Sequence, residues 1–407
     1  MYDAIVIGAR CAGAATAMLL ARQGHNVLLV DRAAVGSEIP HGHFIHRGGP
    51  QRLQKWGLWD KVVATGAPPV HKVNMVIGGA PLATDDLYLG GIPFGLAPRR
   101  AAIDRVLAEA AVAAGVELRD RFLVETILRD GERVTGIRGR DLATGETESF
   151  RATIVIGADG RNSRLAQAVE APVYEAVPSV SCYYFSYWRG IPFDRLEMHI
   201  GMDQVIFAFP TNDDQLALFI AWPIEKFPEV RQDIEGHFMA ALAQAPELAT
   251  QVAAGERVER FYGTADLPNF FRKPFGPGWA LVGDAGHHKD PFMALGMGDA
   301  LRDAELVAVA VHAGLLEEKP LLAALADYET QRNEESMPIY YENLNRARFV
   351  PPPAEMRQLR AALIANGDQA DIDMFYKATL GLLPLAAFFN PDNIGRIMAR
   401  QAASMAA

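Results

Sequence analysis

Two glycines and one acidic residue near the start of the chain have the spacing that a bound dinucleotide requires. Gly8 and Gly13 enclose the segment Gly8-Ala9-Arg10-Cys11-Ala12-Gly13, and Asp31 follows 18 residues after Gly13. Gly8 permits a sharp turn out of a strand, and Gly13 permits close packing of strand and helix. The N-terminus of that helix can hold a pyrophosphate, while Asp31 can accept hydrogen bonds from ribose hydroxyls. The pattern predicts a dinucleotide site, although Arg10 stands at the middle glycine of G-x-G-x-x-G.

Two further motifs of glycine and aspartate come later in the chain, each after an apolar run typical of a buried strand. Gly157-Ala158-Asp159-Gly160 follows the run Ala152–Ile156. Gly283-Asp284-Ala285 follows Trp279–Val282 and continues to Gly298. One such motif could be a strand end that merely turns, but three in this order are improbable by chance.

Three histidines within six residues invite a metal interpretation. His41, His43 and His46 lie with Arg47 in the Gly/His-rich loop 36–50. No Cys or carboxylate cluster follows at the spacing of zinc ligands, so no metal is predicted. A loop that contacts a cofactor and a solvated loop are the two remaining interpretations.

Aromatic residues concentrate between Ser179 and Pro223, where short apolar segments alternate with turns as in an antiparallel meander. Because alternate residues of a strand share one face, Tyr183, Phe185 and Tyr187 point the same way. Either one face lines a pocket while the other meets core or solvent, or both faces are ordinary sheet packing. The candidate pocket residues are Tyr183, Phe185, Tyr187, Phe207, Phe209, Phe219 and Trp222.

The elements that position these residues follow an α/β pattern. Buried strands are predicted at the three motifs, with helices after the first motif and after Arg100. An Ala-rich helix is predicted over Gln232–Val252, and the chain after Asp299 is mainly helical. Pro351-Pro352-Pro353 links this part to a C-terminal helical segment.

The composition limits which partners and which cellular compartment are expected. The net charge is −10 and no block of Lys and Arg occurs, which argues against nucleic acid or an anionic membrane as the main partner. Two cysteines cannot form a disulfide framework. The first strand begins almost at Met1, and the most apolar late stretches are too short to cross a bilayer. A cytoplasmic protein is therefore expected.

With these three motifs the chain resembles FAD-dependent monooxygenases of the p-hydroxybenzoate hydroxylase-like fold and their geranylgeranyl-reductase-like relatives, over roughly residues 1–310. The resemblance implies an α/β fold: a Rossmann-like FAD-binding domain, an inserted antiparallel β-sheet substrate domain and a C-terminal helical segment. The FAD-binding domain is expected at 1–70, 95–170 and 266–350, the substrate domain at 71–94 and 171–265, and the helical segment at 351–407.

The family pattern also implies which residues hold the cofactor. The first motif would hold the FAD pyrophosphate, Asp31 the adenosine ribose and Asp284 the ribityl chain, and either Arg99 or Arg100 would lie near the cofactor. The third motif departs from the family's G-x-G-M-N, because Ala294 and Gly298 replace its first Gly and its Asn. The implied cofactor-binding residues are Gly8, Ala9, Arg10, Cys11, Ala12, Gly13, Asp31, Arg32, Arg99, Arg100, Val124, Asp159, Gly160, Gly283, Asp284, Pro291, Gly296, Met297 and Gly298.

The activity implied by the resemblance is that of a monooxygenase. It would hydroxylate or epoxidise an aromatic or polyketide-like small molecule through a flavin C4a-hydroperoxide, using O₂ and electrons from NADPH, NADH or a separate flavin reductase. His43, His287 and Pro291 are the catalytic candidates. A reductase of the geranylgeranyl type, a flavin-dependent halogenase and a non-catalytic flavin-binding protein are the alternatives. A monomer or homodimer is expected.

Overall fold

The computed structural model describes residues 1–406, and over this range it has fourteen α-helices and twenty-three strands. The helices are α1 (Cys11–Arg22), α2 (Gly49–Lys55), α3 (Trp59–Val63), α4 (Arg100–Ala113), α5 (Arg164–Ala168), α6 (Phe227–Val230), α7 (Ile234–Leu242), α8 (Pro246–Ala253), α9 (Gly296–Leu315), α10 (Leu321–Ala347), α11 (Ala354–Asn366), α12 (Gln369–Thr379), α13 (Leu385–Phe388) and α14 (Pro391–Ala406). Short 3-10 turns lie at Ile224–Lys226, Gly283–Ala285 and Pro291–Met293.

The strands belong to two large sheets and several small ones. They are β1 (Tyr2–Ile7), β2 (Val27–Val30), β3 (Pro69–Val70), β4 (Val73–Ile77), β5 (Ala80–Thr84), β6 (Tyr88–Leu89), β7 (Ile92–Pro93), β8 (Gly95–Leu96), β9 (Glu117–Arg119), β10 (Phe122–Asp130), β11 (Arg133–Asp141), β12 (Thr147–Gly157), β13 (Val173–Val177), β14 (Ser181–Arg189), β15 (Leu196–Ile200), β16 (Val205–Thr211), β17 (Gln215–Pro223), β18 (Glu256–Arg257), β19 (Tyr262–Thr264), β20 (Asn269–Arg272), β21 (Phe275–Gly276), β22 (Trp279–Leu281) and β23 (His287–His288).

A parallel sheet brings the three glycine motifs to one edge. Its parallel strands run in the order β9-β2-β1-β12-β22. Most residues of β1, β2 and β22 are apolar because both faces of the sheet are covered there, whereas the edge strand β9 carries Glu117 and Arg119. The first motif follows β1, the second follows β12 and the third follows β22. Since carboxyl ends of parallel strands share one edge, this is the place where a ligand binds in such sheets.

Helices α1, α4 and α9 pack on one face of the parallel sheet. Small residues at the contact allow the helices to approach closely, among them Ala14 and Ala17 of α1 and Ala304 and Ala308 of α9. The opposite face of the sheet packs against the antiparallel strands β10 and β11. The helix that begins after the first glycine motif is therefore held by its neighbours as well as by its own hydrogen bonds.

The second large sheet has the order β18-β14-β17-β16-β15-β4-β5. Strand β15 pairs in parallel with β4, which joins the hairpin at residues 73–84 to the strands from 181 onward. Strand β13 pairs instead with β20 of a small separate sheet. We therefore propose the three-part division of the chain given above, with residues 173–177 moved from the substrate domain to the FAD-binding domain.

Helices α11 to α14 form the C-terminal helical segment and pack on the second sheet. Tyr376 of α12 donates a hydrogen bond to the carbonyl oxygen of Leu82 (2.6 Å), and Thr84 donates one to Asp373 (2.7 Å). Leu359, Phe375 and other apolar residues of these helices share one core cluster with the aromatic residues of β14, β16 and β17. Within residues 1–406, no helix has both the length and the apolar character needed to cross a membrane.

Candidate active site

The turn between β1 and α1 leaves no room for side chains at its two glycines. Gly8 has φ +105°, and a Cβ there would lie 2.4 Å from the carbonyl oxygen of Ala158. A Cβ on Gly13 would lie 1.8 Å from the carbonyl oxygen of Gly8. Arg10, at the N-cap of α1, makes no capping hydrogen bond with its side chain. The first N–H groups of α1, around Cys11, are therefore available to an anionic group, as is the positive end of the helix dipole.

Asp31, just after the end of β2, faces this turn. Its Oδ2 accepts a hydrogen bond from the N–H of Ala9 (2.7 Å), and its Oδ1 accepts one from the N–H of Ala33 (2.8 Å). These bonds hold the carboxylate beside the start of α1, and each oxygen keeps a lone pair for a ribose hydroxyl. The adjacent Arg32 is exposed to solvent. The structure thus brings the predicted ribose acceptor and the predicted pyrophosphate turn together.

Arg100 is the member of the arginine pair that lies at the α1 turn. Its Nη2 is 3.3 Å from Oδ2 of Asp104, and the Cys11 thiol donates to Oδ1 of the same aspartate (3.2 Å). The Nε of Arg100 is buried without a hydrogen-bond partner, and Asp284 lies within range of its charge. A buried cation with a free donor beside a helix N-terminus fits an anionic ligand.

Asp284 lies on the 3-10 turn after β22 and is exposed. Its carboxylate forms neither a hydrogen bond nor an ion pair with any residue of the described chain. His41 is exposed to solvent and lies within range of the charges of Arg100 and Asp284. Pro291 and Gly296 are exposed on the same motif. The third motif adjoins the first, since a Cβ on Gly283 would lie 2.9 Å from the Cβ of Ala12, and we propose the region between them as the cofactor cleft.

The loop that follows Pro291 lies tightly against the loop that contains His46. The Nε2 of His46 donates to the carbonyl oxygen of Met293 (2.7 Å). A Cβ on Gly298 would come within 2.9 Å of the His46 carbonyl oxygen, so the glycine that replaces the family Asn is required by packing. Met297 and Gly298 are buried in the first turn of α9, whose N-cap residue makes no capping hydrogen bond with its side chain. The start of α9 is a second helix N-terminus with free N–H groups.

The second motif adjoins the first through Ala158, which touches Gly8. Asp159 accepts a hydrogen bond from the N–H of Arg164 (2.7 Å), while its other oxygen is buried without a partner and burial raises its pKa. Gly160 has φ +80°. Val124 lines a surface cavity of about 600 Å³ next to Arg164. Asp159 therefore lies beside the α1 turn, with Gly160 next along the chain, whereas Val124 lines the cavity near Arg164.

His287 does not face the cleft. Its imidazole is buried, stacks on Phe271 with ring centroids 5.1 Å apart, and has its Nδ1 3.3 Å from Oδ2 of Asp303. The sequence pattern placed it among the catalytic candidates. The structure instead surrounds it with protein on every side, so we assign it a positioning role beneath the third motif.

A buried ionic cluster around His287 was not predicted. Lys289 lies 2.5 Å from Asp299, whose other oxygen is 2.7 Å from Arg302, and Arg302 also pairs with Asp303 (2.7 Å). Burial by itself raises the pKa of Asp299, but the charges of Lys289 and Arg302 hold this pKa well below its usual range. The sequence feature that could have predicted this cluster is the group of charged residues at 299, 302 and 303 inside an otherwise apolar helix.

His43, by contrast, lies in the predicted substrate pocket. Its Nδ1 is 3.1 Å from the carbonyl oxygen of Ala97, and its Nε2 is 3.0 Å from the hydroxyl of Tyr187. Desolvation, together with the charge of Arg99, lowers the pKa of His43 to about 3, so the ring is neutral at pH 7. Because a carbonyl oxygen can only accept, Nδ1 carries the proton and Nε2 accepts a hydrogen bond from Tyr187.

Arg99 belongs to this pocket and not to the cofactor cleft. Its guanidinium lies 3.8 Å from the centroid of the Tyr187 ring and pairs with Glu259. Burial raises the pKa of Tyr187 well above its usual range, so the hydroxyl stays protonated. The structure thus separates the two neighbouring arginines: Arg100 contacts the α1 turn, and Arg99 contacts the pocket.

Six of the seven candidate pocket residues share the inner face of the second sheet. Phe219 stacks on Phe185 with ring centroids 4.4 Å apart and on Phe209 with centroids 5.4 Å apart. Tyr183 donates a hydrogen bond to Asp290 (2.8 Å), just before the predicted flavin loop. The six are Tyr183, Phe185, Tyr187, Phe207, Phe209 and Phe219.

The prediction for Trp222 has to be corrected. Strand pairing places Trp222 opposite Cys182, whereas Tyr183 is opposite Ala221. Because facing residues of paired strands share a face, Trp222 points away from Tyr183. It packs in the cluster under α7 and α8 together with Tyr184.

Acid should destabilise the protein through His43. Its folded pKa of about 3 lies below the value of about 6.5 for an unfolded histidine. The unfolded chain therefore binds a proton that the folded chain does not, and stability falls as pH drops from about 6.5 toward 3, by about 1.4 kcal/mol per pH unit. Urea unfolding at about pH 6 and 4.5 should show a shallower loss for His43→Gln than for the wild type.

The matched control for this pH dependence is His237→Gln. The pKa of His237 is raised, so the ring is protonated in both states below its unfolded pKa and contributes no slope there. If the unfolding free energy of His43→Gln fell with pH as steeply as that of the wild type, the assignment of a neutral, buried imidazole would be contradicted.

Comparison with known proteins agrees with this geometry. Tryptophan 2-halogenase of Chondromyces crocatus is 26% identical over 80% of this chain and 64% of its own length, so the chain spans less than two thirds of that relative. Digeranylgeranylglycerophospholipid reductase 1 of Methanococcoides burtonii is 25% identical, covering 75% of this chain and 73% of the reductase. Kynurenine 3-monooxygenase of Salinispora tropica is 27% identical, covering 81% of this chain and 76% of the monooxygenase.

Solved structures share the fold. The myxobacterial chondrochloren halogenase CndH superposes with a TM-score of 0.77 at 20% identity, covering 98% of this chain and 97% of the halogenase. PqsL of Pseudomonas aeruginosa, solved in complex with 2-aminobenzoylacetate, has a TM-score of 0.71 at 22% identity, covering 85% of this chain and 95% of PqsL.

Fold and site define a flavoprotein oxidoreductase, and FAD is its cofactor. The chain belongs to the family described as FAD binding domain, whose pattern matches residues 1–339. The residues present fit this cofactor, because Gly8 and Gly13 leave space that a Cβ would fill and the Nε of Arg100 is buried without a partner. The carboxylate of Asp284 is exposed and free of hydrogen bonds within the described residues. The fold class predicted from the three motifs is confirmed.

Proposed function

We propose that the protein is an FAD-dependent monooxygenase that hydroxylates or epoxidises an aromatic or polyketide-like small molecule. The observation that carries this proposal is an enclosed aromatic face with a neutral histidine–tyrosine pair, adjacent to the third glycine motif. Bound FAD supplies electron transfer and oxygen activation. Every other requirement, namely holding the cofactor, binding the substrate and excluding water, falls to the residues of this chain.

Four sets of residues would hold the cofactor. The start of α1 and Arg100 would bind the pyrophosphate, and Asp31 would bind the adenosine ribose. Asp284 would accept hydrogen bonds from the ribityl hydroxyls. The N–H groups at the start of α9, from Gly296 to Gly298, would meet the polar edge of the ring system. Pro291 would act as part of this surface, since it is exposed and carries no titratable group.

Tyr187 and His43 would orient a substrate hydroxyl. The Tyr187 proton is committed to Nε2 of His43, so the tyrosine oxygen can accept a hydrogen bond from a substrate O–H. Because the pKa of His43 is about 3, the neutral imidazole does not take up a second proton at neutral pH. The pair would therefore hold and polarise the hydroxyl without removing its proton.

Exclusion of water is the second task of the pocket. The rings of Phe185, Phe209 and Phe219 are at most 8% exposed, and the C-terminal helices cover the same cluster. A dry apolar surrounding protects a reactive oxygen donor from hydrolysis and favours an apolar substrate. Tyr183 and Phe207 extend this face toward Phe292 of the third motif.

The test begins with the visible spectrum of the purified protein and its bleaching by NADH, NADPH or a separate flavin reductase. A monooxygenase then couples substrate-dependent O₂ uptake to formation of an oxygenated product. Reduction of a substrate C=C bond under strict anaerobiosis would support the reductase alternative, which the similarity to the reductase of Methanococcoides burtonii suggests. Product that contains halogen only when halide is present would support a halogenase, as the relative from Chondromyces crocatus suggests.

Tyr187→Phe should lower kcat/KM for a hydroxylated substrate by about tenfold or more while FAD content stays unchanged. The loss arises because a phenyl ring cannot accept the substrate hydrogen bond. Steady-state kinetics and the flavin spectrum measure the two effects. Tyr184→Phe is the matched control, because Tyr184 lies on the outer face among the residues under α7 and α8. Equal kinetics for wild type and Tyr187→Phe would remove the pair from the mechanism.

A further inference from the structure

The turn that leads into α9 contains a left-handed residue that is not a glycine. Ala294 has φ +51° and ψ +37°, and it follows the 3-10 turn Pro291–Met293. Glycine adopts this conformation freely, whereas alanine adopts it at a cost. Ala294 is also the residue that replaces the first Gly of the family's G-x-G-M-N. The contacts around the turn must therefore hold it in this shape.

A single buried side chain from α10 holds both ends of this turn. The Nδ2 of Asn343 donates to the carbonyl oxygen of Asp290 (2.9 Å), and its Oδ1 accepts from the N–H of Met293 (3.0 Å). Because a carbonyl oxygen can only accept and an N–H can only donate, the two partners fix the orientation of the amide. Asn343 is fully buried. We call these two hydrogen bonds the Asn343 bridge.

Two further side chains bind the same backbone from other parts of the chain. Asn269 of β20 accepts from the N–H of Asp290 (2.8 Å). His46, in the loop before α2, donates to the carbonyl oxygen of Met293 (2.7 Å). Asn269 and Asp290 are each 1% exposed. Each of these two side chains reaches one end of the turn, whereas Asn343 bonds to both ends.

The shape of this turn decides how α9 begins. Ala294 is followed by Leu295, the N-cap residue of α9, and then by Gly296–Gly298 in the first turn of the helix. A change in φ at Ala294 would redirect the first N–H groups of α9, which have no partner within the helix. These are the N–H groups proposed above to meet the polar edge of the flavin ring, and the inference rests on that placement.

We propose that Asn343 is a positioning residue for the flavin. Its bridge holds Ala294 in the left-handed region and thereby directs the N–H groups of Gly296–Gly298 toward the ring. A glycine at position 294, as in the family pattern, could adopt this conformation without such help. In this chain two buried hydrogen bonds from α10 offset the cost of the alanine. The inference concerns how the ring is held, whichever reaction the bound flavin supports.

Asn343→Leu, which roughly keeps the size of the side chain and removes both hydrogen bonds, is the first test. With the bridge lost, Ala294 leaves the left-handed region, and the affinity for FAD should fall by about tenfold. The midpoint potential of the flavin should also fall, because the displaced N–H donors no longer favour the negative charge of the reduced ring. Titration of apoprotein with FAD and dye-coupled reduction at saturating FAD measure the two effects.

Ala294→Gly tests whether the bridge and the backbone conformation are coupled. By itself it should change the FAD affinity by less than about threefold, since the bridge already holds the turn. In combination with Asn343→Leu it should restore most of the lost affinity and potential, because glycine adopts the left-handed conformation at little cost. A loss that came only from a weakened fold would not be restored in this way. If Asn343→Leu does not fold, Asn343→Ser takes its place in the same comparison.

The matched control is Asn366→Leu, which removes a side-chain hydrogen bond to the backbone within the C-terminal helical segment. The Nδ2 of Asn366 donates to the carbonyl oxygen of Ile397 (3.0 Å). This variant should lose stability and keep the affinity and potential of the wild type.

The inference is overturned if Asn343→Leu keeps the wild-type affinity and potential, if Asn366→Leu shifts them equally, or if Ala294→Gly restores nothing. Neither readout depends on turnover. The expected shifts in a protein without substrate-dependent O₂ uptake would support the role of Asn343 and count against the proposed function.

Discussion

Gly13→Ala should yield a protein that is purified almost without FAD. The added Cβ would lie 1.8 Å from the Gly8 carbonyl oxygen, so strand and helix must move apart by more than about 1 Å. This shift displaces the N–H groups that face the pyrophosphate, and we expect FAD affinity to fall by about a hundredfold or more. The ratio of visible to ultraviolet absorbance and a titration of apoprotein with FAD measure the loss.

Gly395→Ala is the control for this prediction. Gly395 also lies in a helix, but a Cβ there meets nothing within 4 Å. This variant should bind FAD as the wild type does and be stabilised slightly by the higher helix propensity of alanine. Normal FAD content in Gly13→Ala would show that the packing at the α1 turn does not position the cofactor.

Asp303→Asn should lower the free energy of unfolding by about 3–5 kcal/mol. Asp303 is fully buried and accepts from Arg302, which would keep its buried charge after losing one of its three carboxylate partners. His287 would lose its neighbour at the same time. Urea unfolding monitored by fluorescence, with FAD saturating in every sample, measures the difference.

The control is Asp327→Asn, which removes an aspartate paired with Lys319 at the surface. Its side chain is 58% exposed, and such pairs contribute at most about 1 kcal/mol. A similar loss in both variants would mean that the buried cluster adds no more to stability than a surface pair does.

The cofactor-binding part of the fold could be predicted from the sequence because its turns and strands are specified by residues close together in the chain. Gly8, Gly13 and Asp31 require one backbone geometry, and the apolar runs before Gly157 and Gly283 specify strands buried on both faces. The helix predicted over Gln232–Val252 is instead two helices, α7 and α8, because Pro246 can begin a helix but not continue one.

The pocket could be predicted only in part, because its faces depend on strand pairing. The alternation of side chains along β14 correctly groups Tyr183, Phe185 and Tyr187 on one face. The register between β14 and β17 places Trp222 on the other face. For the two neighbouring arginines, Asp104 four residues after Arg100 is a local signal for one pairing. The pairing of Arg99 with Glu259 depends on the three-dimensional fold and could not be predicted locally.

Helices α11 to α14 form a separate C-terminal part of the chain that packs on the aromatic face of the second sheet. They supply Leu359, Phe375 and their neighbours to the wall of the aromatic pocket, yet they lie beyond residue 339, where the family match ends. The residues proposed to hold FAD therefore lie in one part of the chain, and much of the boundary of the proposed pocket lies in another. We expect changes confined to this last contiguous stretch to alter which molecules the proposed pocket accepts while FAD binding stays the same.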